Sequence, residues 1–203
     1  MKILCIGRNY KDHIKELNSM MPSSPVFFLK PDTSILIRNR PFYYPNFSKN
    51  IHYEVELVIK ICKVGKNIQK QFAGNYYQEI GIGIDFTARD VQENCKRNGL
   101  PWTIAKGFDN AAPIGKFLSK DNINDLNNIK FHLDLNGNTV QSGSSGEMIF
   151  SFDDLISYIS HYVTLRSGDL IFTGTPSGVG PVQIGDYLEA FIENEKLLSC
   201  RIK

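Results

Sequence analysis

Ile51-His52-Tyr53-Glu54-Val55-Glu56-Leu57-Val58-Ile59-Lys60-Ile61-Cys62 is the longest strand pattern in the chain. β-branched and aromatic residues dominate it, as they do in pleated, packed segments. Side chains alternate faces along a strand, so Glu54 and Glu56 point the same way, about 7 Å apart at roughly 3.3 Å per residue. Val55 and Leu57 then point into a core. Two carboxylates side by side on one face repel each other unless a positive group sits between them or water dilutes the repulsion. Taken alone, Glu-x-Glu is therefore also compatible with a solvated outer strand face.

Strand signals recur on both sides of this stretch. Residues 2–6 are apolar and β-branched, and Val26-Phe27-Phe28-Leu29 sits between prolines that confine an extended segment. Residues 80–86 are Gly-rich and β-branched. Residues 130–135 and 139–141 flank Asn136-Gly137, the signature of a tight hairpin. Residues 170–173, 187–192 and 197–202 complete the set. Helices are predicted over 9–18, over 89–98 with Gly99 as the stop, and over 151–163. The last has Ser151 as N-cap and Phe152, Leu155, Ile156 and Ile159 at helical spacing. Many strands with a few peripheral helices predict an α+β, β-rich fold. No repeat, low-complexity tract or linker interrupts it, so a single domain over 1–203 is expected.

Composition narrows the function classes. Hydrophobic residues make up 42% and charged residues 22%, a globular balance. A net charge of +2 is too small to point to nucleic acid or a membrane surface. No apolar run approaches the ~20 residues of a membrane helix. Met1–Gly7 is followed by Asp12 and His13 with no cleavage site, so it reads as a strand and not a signal peptide, and a cytosolic location is expected. Cys5, Cys62, Cys95 and Cys200 are scattered with no Cys-x-x-Cys pair, which suits reduced thiols.

A second acid bears on the Glu54–Glu56 question. Asp85 ends the apolar run Gly81-Ile82-Gly83-Ile84, where a carboxylate needs a partner or a role. It could cap the 89–98 helix. It could also join Glu54 and Glu56 around a hard cation: three carboxylates with no sulfur suit Mg²⁺, Mn²⁺ or Ca²⁺. Mg²⁺ keeps positions open for water or substrate oxygens, which favours an enzyme over a structural site.

Five segments occur in an informative order: Gly7-Arg8-Asn9-Tyr10; Glu54-Val55-Glu56-Leu57; Asp85-Phe86-Thr87-Ala88-Arg89-Asp90-Val91-Gln92; Pro101-Trp102-Thr103-Ile104-Ala105-Lys106; and Thr173-Gly174-Thr175-Pro176-Ser177-Gly178-Val179-Gly180. In order and spacing they resemble the fumarylacetoacetate hydrolase family, from about residue 2 to residue 202. The likeness is greatest to its short branch of acylpyruvate hydrolases and oxaloacetate decarboxylases. The resemblance implies a mixed β-sandwich roll, a homodimer, and Glu54, Glu56 and Asp85 as the metal ligands. Longer members carry an N-terminal domain that supplies another acid near the metal, for which this chain has no counterpart.

The resemblance also assigns roles to single residues. His13 and Glu16 match a proton-transfer dyad on a short helix that closes over the site, and their i, i+3 spacing puts them on one helical face. Read without the resemblance, they are an exposed helix face. Lys106 would stabilise negative charge on the substrate; otherwise it is a surface lysine. Arg89 and Gln92 would contact substrate, although Arg89 could instead pair with Asp90 or Glu93. Thr175 and the adjacent backbone would hold the substrate carboxylate. The turn that carries Thr175 lacks the Gly-Lys-Ser/Thr ending of a phosphate loop. His132 and His161 read as structural or surface residues, and His52 as a neighbour that supports the ligand strand.

The implied substrate is a small 2-oxo acid that chelates the metal through two oxygens. Hydrolysis of acylpyruvates is expected first, with decarboxylation of oxaloacetate as a second activity. The alternative is an isomerase or tautomerase of oxaloacetate or a related diacid, because all three reactions share an enolate. The non-enzyme alternative, a cation-binding module, has no use for His13, Glu16 or Lys106.

Overall fold

The computed structural model describes residues 1–203. Its strands in chain order are β1 (Ile3–Gly7), β2 (Val26–Lys30), β3 (Ile35–Leu36), β4 (Ile51–Tyr53), β5 (Val55–Ile61), β6 (Tyr77–Ile84), β7 (Thr87–Ala88), β8 (Ala112–Ser119), β9 (Lys130–Leu135), β10 (Asn138–Ser144), β11 (Leu170–Phe172), β12 (Gly180–Pro181), β13 (Tyr187–Ile192) and β14 (Glu195–Arg201). The helices are α1 (Lys11–Glu16), α2 (Lys70–Ala73), α3 (Arg89–Arg97), α4 (Thr103–Lys106) and α5 (Phe152–Tyr162). A seven-stranded sheet runs β2-β1-β11-β5-β6-β8-β3, a four-stranded sheet β10-β9-β13-β14, and a short third sheet β12-β4-β7. The result is the expected α+β, β-rich fold, a curved sheet with helices at its periphery.

β13 and β14 lie across β6 and β8, so the two larger sheets share one apolar core. Leu57, Ile80 and Ile82 come from one side, and Phe131, Leu188 and Leu198 from the other. Removing such side chains from water supplies most of the driving force, roughly 25 cal/mol per Å² of apolar surface. No helix is long and apolar enough to cross a membrane.

The 51–62 stretch is where the structure departs most from a simple strand. The chain changes sheets at Glu54, with β4 pairing β12 and β7 while β5 pairs β11 and β6. The Glu54 carbonyl accepts a hydrogen bond from Asp85 N at 2.8 Å, which brings the two acids to one corner. β5 is central and covered on both faces, and only Lys60 along it is not buried. The solvated outer face is thereby ruled out for Glu56.

Several local signals act as read. Asn136 and Gly137 both have positive φ, 52° and 81°, as a tight hairpin turn requires. Ser151 caps α5 with a reciprocal box to Asp154. Gly99 at φ 63° follows the end of α3. The 9–18 helix is shorter than expected, because Asn9 is not its cap. The Asn9 side chain donates to Phe150 O (3.0 Å) and Thr173 O (2.8 Å) and accepts from Phe150 N (2.8 Å), which fixes where α1 begins. Asp85 does not cap α3 either; that helix starts after Ala88 with no side-chain cap.

Candidate metal centre and its pocket

Glu54, Glu56 and Asp85 converge, each 5% exposed or less, with one oxygen of each within 4.8 Å of the others. Glu54 stands at the sheet switch, Glu56 on β5 and Asp85 just past β6. Cations surround them unevenly. Lys106 Nζ is 2.8 Å from both Glu54 Oε2 and Asp85 Oδ2. Arg89 Nη2 pairs with Glu54 Oε1 at 2.5 Å and Nη1 donates to Gln92 Oε1 at 2.7 Å. Lys30 Nζ lies 2.7 Å from Asp85 Oδ1. Glu56 has no cation of its own and accepts from Gly174 N at 2.7 Å.

This asymmetry sets the proton affinities. Burial opposes ionisation of Glu54, yet Lys106 and Arg89 hold its carboxyl well below the usual range. Burial, then Asp85 and Glu54, push Glu56 well above it. Burial works against the charge of Lys106, but Asp85 and Glu54 hold its ammonium well above the usual lysine range.

Three hard oxygen donors fit a divalent cation of the Mg²⁺, Mn²⁺ or Ca²⁺ type. The structure carries its own sign of such a site: Glu56 is 1% exposed, no ammonium or guanidinium pairs with it, and the Gly174 amide is its one hydrogen-bond partner. A buried carboxylate with no cation beside it is costly unless an ion takes it up.

The same cavity, about 40 Å³, is lined by Glu54, Glu56, Asp85, His13, Arg89, Gln92, Lys106 and Thr175 among others. His13 is buried, and its Nδ1 is 3.0 Å from Glu16 Oε2. Glu16 Oε1 accepts from Gly178 N at 2.9 Å, so the glycine-rich turn after β11 holds the dyad in place. Gly174 of that turn has φ 100°, and a Cβ there would lie 2.7 Å from Asn9 Cβ. Eight of the nine residues singled out from the sequence thus line one pocket, and the ninth, Glu16, is hydrogen-bonded to His13. The alternative pairing of Arg89 with Asp90 or Glu93 does not occur: Arg89 pairs with Glu54, and Asp90 turns to Ser48 Oγ and Lys49 N. His52 lies outside the pocket and bonds Asn50 at 3.0 Å.

Sequence reading missed two buried polar residues. Lys30 is 1% exposed; its ammonium donates to the carbonyls of Phe86, Lys106 and Ala111 besides facing Asp85. The available signal was a lysine closing an apolar strand directly before Pro31. Gln141 accepts from Val55 N (2.9 Å) and donates to Thr175 Oγ1 and Pro176 O (both 2.9 Å), bracing β5 against the turn. Nothing in the polar run around it marked it out.

Residues 2–203 match the family model described as fumarylacetoacetate (FAA) hydrolase C-terminal. A mouse protein named oxaloacetate tautomerase FAHD1, mitochondrial, is 43% identical over 99% of this chain and 91% of its own length. An oxaloacetate decarboxylase, mitochondrial, from Dictyostelium discoideum is 46% identical over 94% of this chain and 88% of its own. The crystal structure of fumarylpyruvate hydrolase from Pseudomonas aeruginosa in complex with Mn²⁺ and pyruvate superposes with a TM-score of 0.94 at 34% identity, covering 100% of this chain and 89% of that one. The cytosolic expectation is contradicted, since the curated relatives from mouse, human and Arabidopsis thaliana are mitochondrial by name. An apolar leader marks secretion and says nothing of entry into other compartments. A likeness that spans both fold and sequence from end to end leaves one assignment: the chain belongs to the fumarylacetoacetate hydrolase family.

Proposed function

We propose that the chain is a divalent-metal keto–enol tautomerase of oxaloacetate or a closely related 2-oxo diacid. This replaces acylpyruvate hydrolysis, the reaction expected first from the sequence, with its alternative. The carrying observation is the placement of the His13–Glu16 dyad at the same small, buried cavity as the carboxylate cluster and Lys106. A tautomerase needs a proton carrier and a stabiliser of negative charge, and has no need of room for an attacking water or a long acyl tail. The 43% identity to an oxaloacetate tautomerase over nearly the whole chain supports the same reading.

Glu54, Glu56 and Asp85 would hold a divalent cation, Mg²⁺ or Mn²⁺ by preference, which would supply Lewis-acid polarisation of the 2-oxo group. With Nδ1 engaged by Glu16, His13 Nε2 is the atom that takes a proton from the carbon beside the ketone. The electron pair moves to the 2-oxygen, where the Lys106 ammonium offsets the developing charge. Return of the proton to that oxygen gives the enol, and the reverse sequence gives the ketone. Thr175 and Gln92 orient the acid, and Arg89 holds Glu54 while facing it. The protein acts as one catalytic domain over 1–203. A homodimer is proposed through β2, an edge strand whose exposed Leu29 lines one open groove together with exposed Leu100. A 23 kDa particle in sedimentation at micromolar concentration would count against it.

The test follows the absorbance of the oxaloacetate enol, with Mg²⁺ and with chelator, alongside cleavage of acetylpyruvate. Metal-dependent enol–keto exchange faster than acetylpyruvate cleavage supports the proposal. Rapid acetylpyruvate cleavage with enol exchange at the uncatalysed rate returns the assignment to the hydrolase.

A further inference from the structure

Four formally cationic side chains line the pocket: Arg8, Arg89, Lys96 and Lys106. Its only acids are Glu54, Glu56 and Asp85. Arg89 is taken up by Glu54 and Gln92, and Lys106 by Glu54 and Asp85. Glu56 is bound to Gly174 N. No carboxylate in the lining remains for Arg8 or Lys96. The two also differ in depth from the rest: the acids are buried, whereas Arg8 is half-buried and Lys96 exposed. They mark the outer end of the cavity.

Neither is a freely waving surface charge. Lys96 Nζ sits 5.5 Å from the centroid of the Trp102 ring, a cation–π contact, and Trp102 is braced edge-on by Phe28 at 6.1 Å. Arg8 has φ 62°, a left-handed conformation unfavourable for a residue with a side chain. It is imposed from both sides, by β1 ending at Gly7 and by the three hydrogen bonds of Asn9. Such conformations cluster where a side chain is being aimed. Partial burial of the Lys96 ammonium, and then Arg89 and Arg8, lower its proton affinity. Four cations against three carboxylates leave an excess of one, which a bound dication raises to three. A dianionic ligand compensates that excess better than a monoanion.

We propose that Arg8 and Lys96 form a second anion subsite that holds the far carboxylate of a dicarboxylic 2-oxo acid, while its 2-oxo-carboxylate end faces Glu54, Glu56, Asp85 and Lys106. The subsite makes the pocket selective for diacids over monoacids of the same head group. It rests on the reading of this pocket as a 2-oxo acid site, but not on which reaction follows binding.

Trp102 is the only tryptophan and lies against Lys96, so its fluorescence reports binding directly. The Mg²⁺-loaded full chain is titrated by stopped flow with oxaloacetate and with pyruvate, before decarboxylation intervenes. The wild type is expected to bind oxaloacetate at least about tenfold more tightly than pyruvate, the worth of a charge-assisted contact. Arg8→Asn with Lys96→Gln should weaken oxaloacetate about ten- to hundredfold and leave pyruvate within about twofold. Asparagine tolerates the left-handed backbone, and Lys96→Gln alone, at an exposed position, should still cost oxaloacetate about threefold or more. No diacid preference in the wild type, an unchanged preference in the variants, or a parallel loss of pyruvate overturns the subsite. A diacid preference that tracks Arg8 and Lys96 in a protein with no enol–keto activity would sink the tautomerase and leave the subsite standing.

Discussion

Lys30→Met removes a charge from the driest part of the molecule without changing side-chain length much. Lys30 is 1% exposed, donates to three backbone carbonyls and faces Asp85 at 2.7 Å. Methionine fills the tunnel but donates nothing. Three carbonyls from two separate segments, 86 and 106–111, then lose their donor, and Asp85 keeps only Lys106. Breaking one buried ion pair by removing a partner costs about 3–5 kcal/mol, because the other charge stays behind unpaired. Folded domains hold about 5–15 kcal/mol in reserve, so the variant should fold but lose a large part of its margin. With a urea slope of about 2 kcal/mol per M, the midpoint should fall by about 1.5–2.5 M. Urea unfolding followed by circular dichroism, with metal removed, measures it. A shift below about 0.5 M would show that Lys30 is a spectator and that the corner is held by packing alone.

Glu56→Gln should bind Mg²⁺ at least about tenfold more weakly in calorimetry, since a donor oxygen with charge is lost. The metal-free variant should melt about 2–4 °C higher, because a buried carboxylate repelled by Asp85 and Glu54 becomes neutral; a lower midpoint would contradict that. His13→Ala should slow oxaloacetate tautomerisation about 10²–10⁴-fold while Mg²⁺ affinity stays within about twofold, and an undiminished rate removes His13 from the mechanism. His52 titrates near 4 in the fold, mainly through burial and then Arg89, against an unfolded value of about 6.5. The unfolded chain therefore takes up that proton first, and stability present above pH 6.5 is lost as pH falls toward 4. Urea midpoints should drop between pH 7 and 5 in the wild type and drop less in His52→Gln; equal slopes would show that other groups carry the effect.

The acids of the site were legible because the period of a strand puts Glu54 and Glu56 on one face whatever their neighbours do. That Glu56 would be buried was not legible, since burial of β5 comes from the strands paired on either side and the layers above and below. The break at Glu54 was hidden for the same reason: Ile51 to Cys62 is an unbroken strand pattern, and only pairing with β7 and β12 pulls its first turn into another sheet. β8 went unseen because Pro113 and Gly115 spoil its pattern. It forms all the same, with a register shift opposite Gly81 and Gly83 and with Gly115 pressed close to Leu197 of β14. Lys30 was missed because a lysine ending an apolar strand ordinarily lets its ammonium reach water. Caps and turns, whose chemistry is local, were read correctly at Ser151, Asn136 and Gly99.

The turn that follows β11 touches two things at once. Its Gly174 amide grips Glu56, and four residues on its Gly178 amide grips Glu16. A short backbone stretch is thus strung between the carboxylates proposed to cradle the cation and the helix that carries His13, the proposed proton carrier. If loading the cradle pulls on one end, the other end feels it, and the two events share a coupling free energy. Thermodynamic reciprocity then fixes the converse: whatever draws the helix inward must tighten the grip on the ion by the same factor. A substrate that seats His13 would lock its own metal in place and let it loosen again as product leaves.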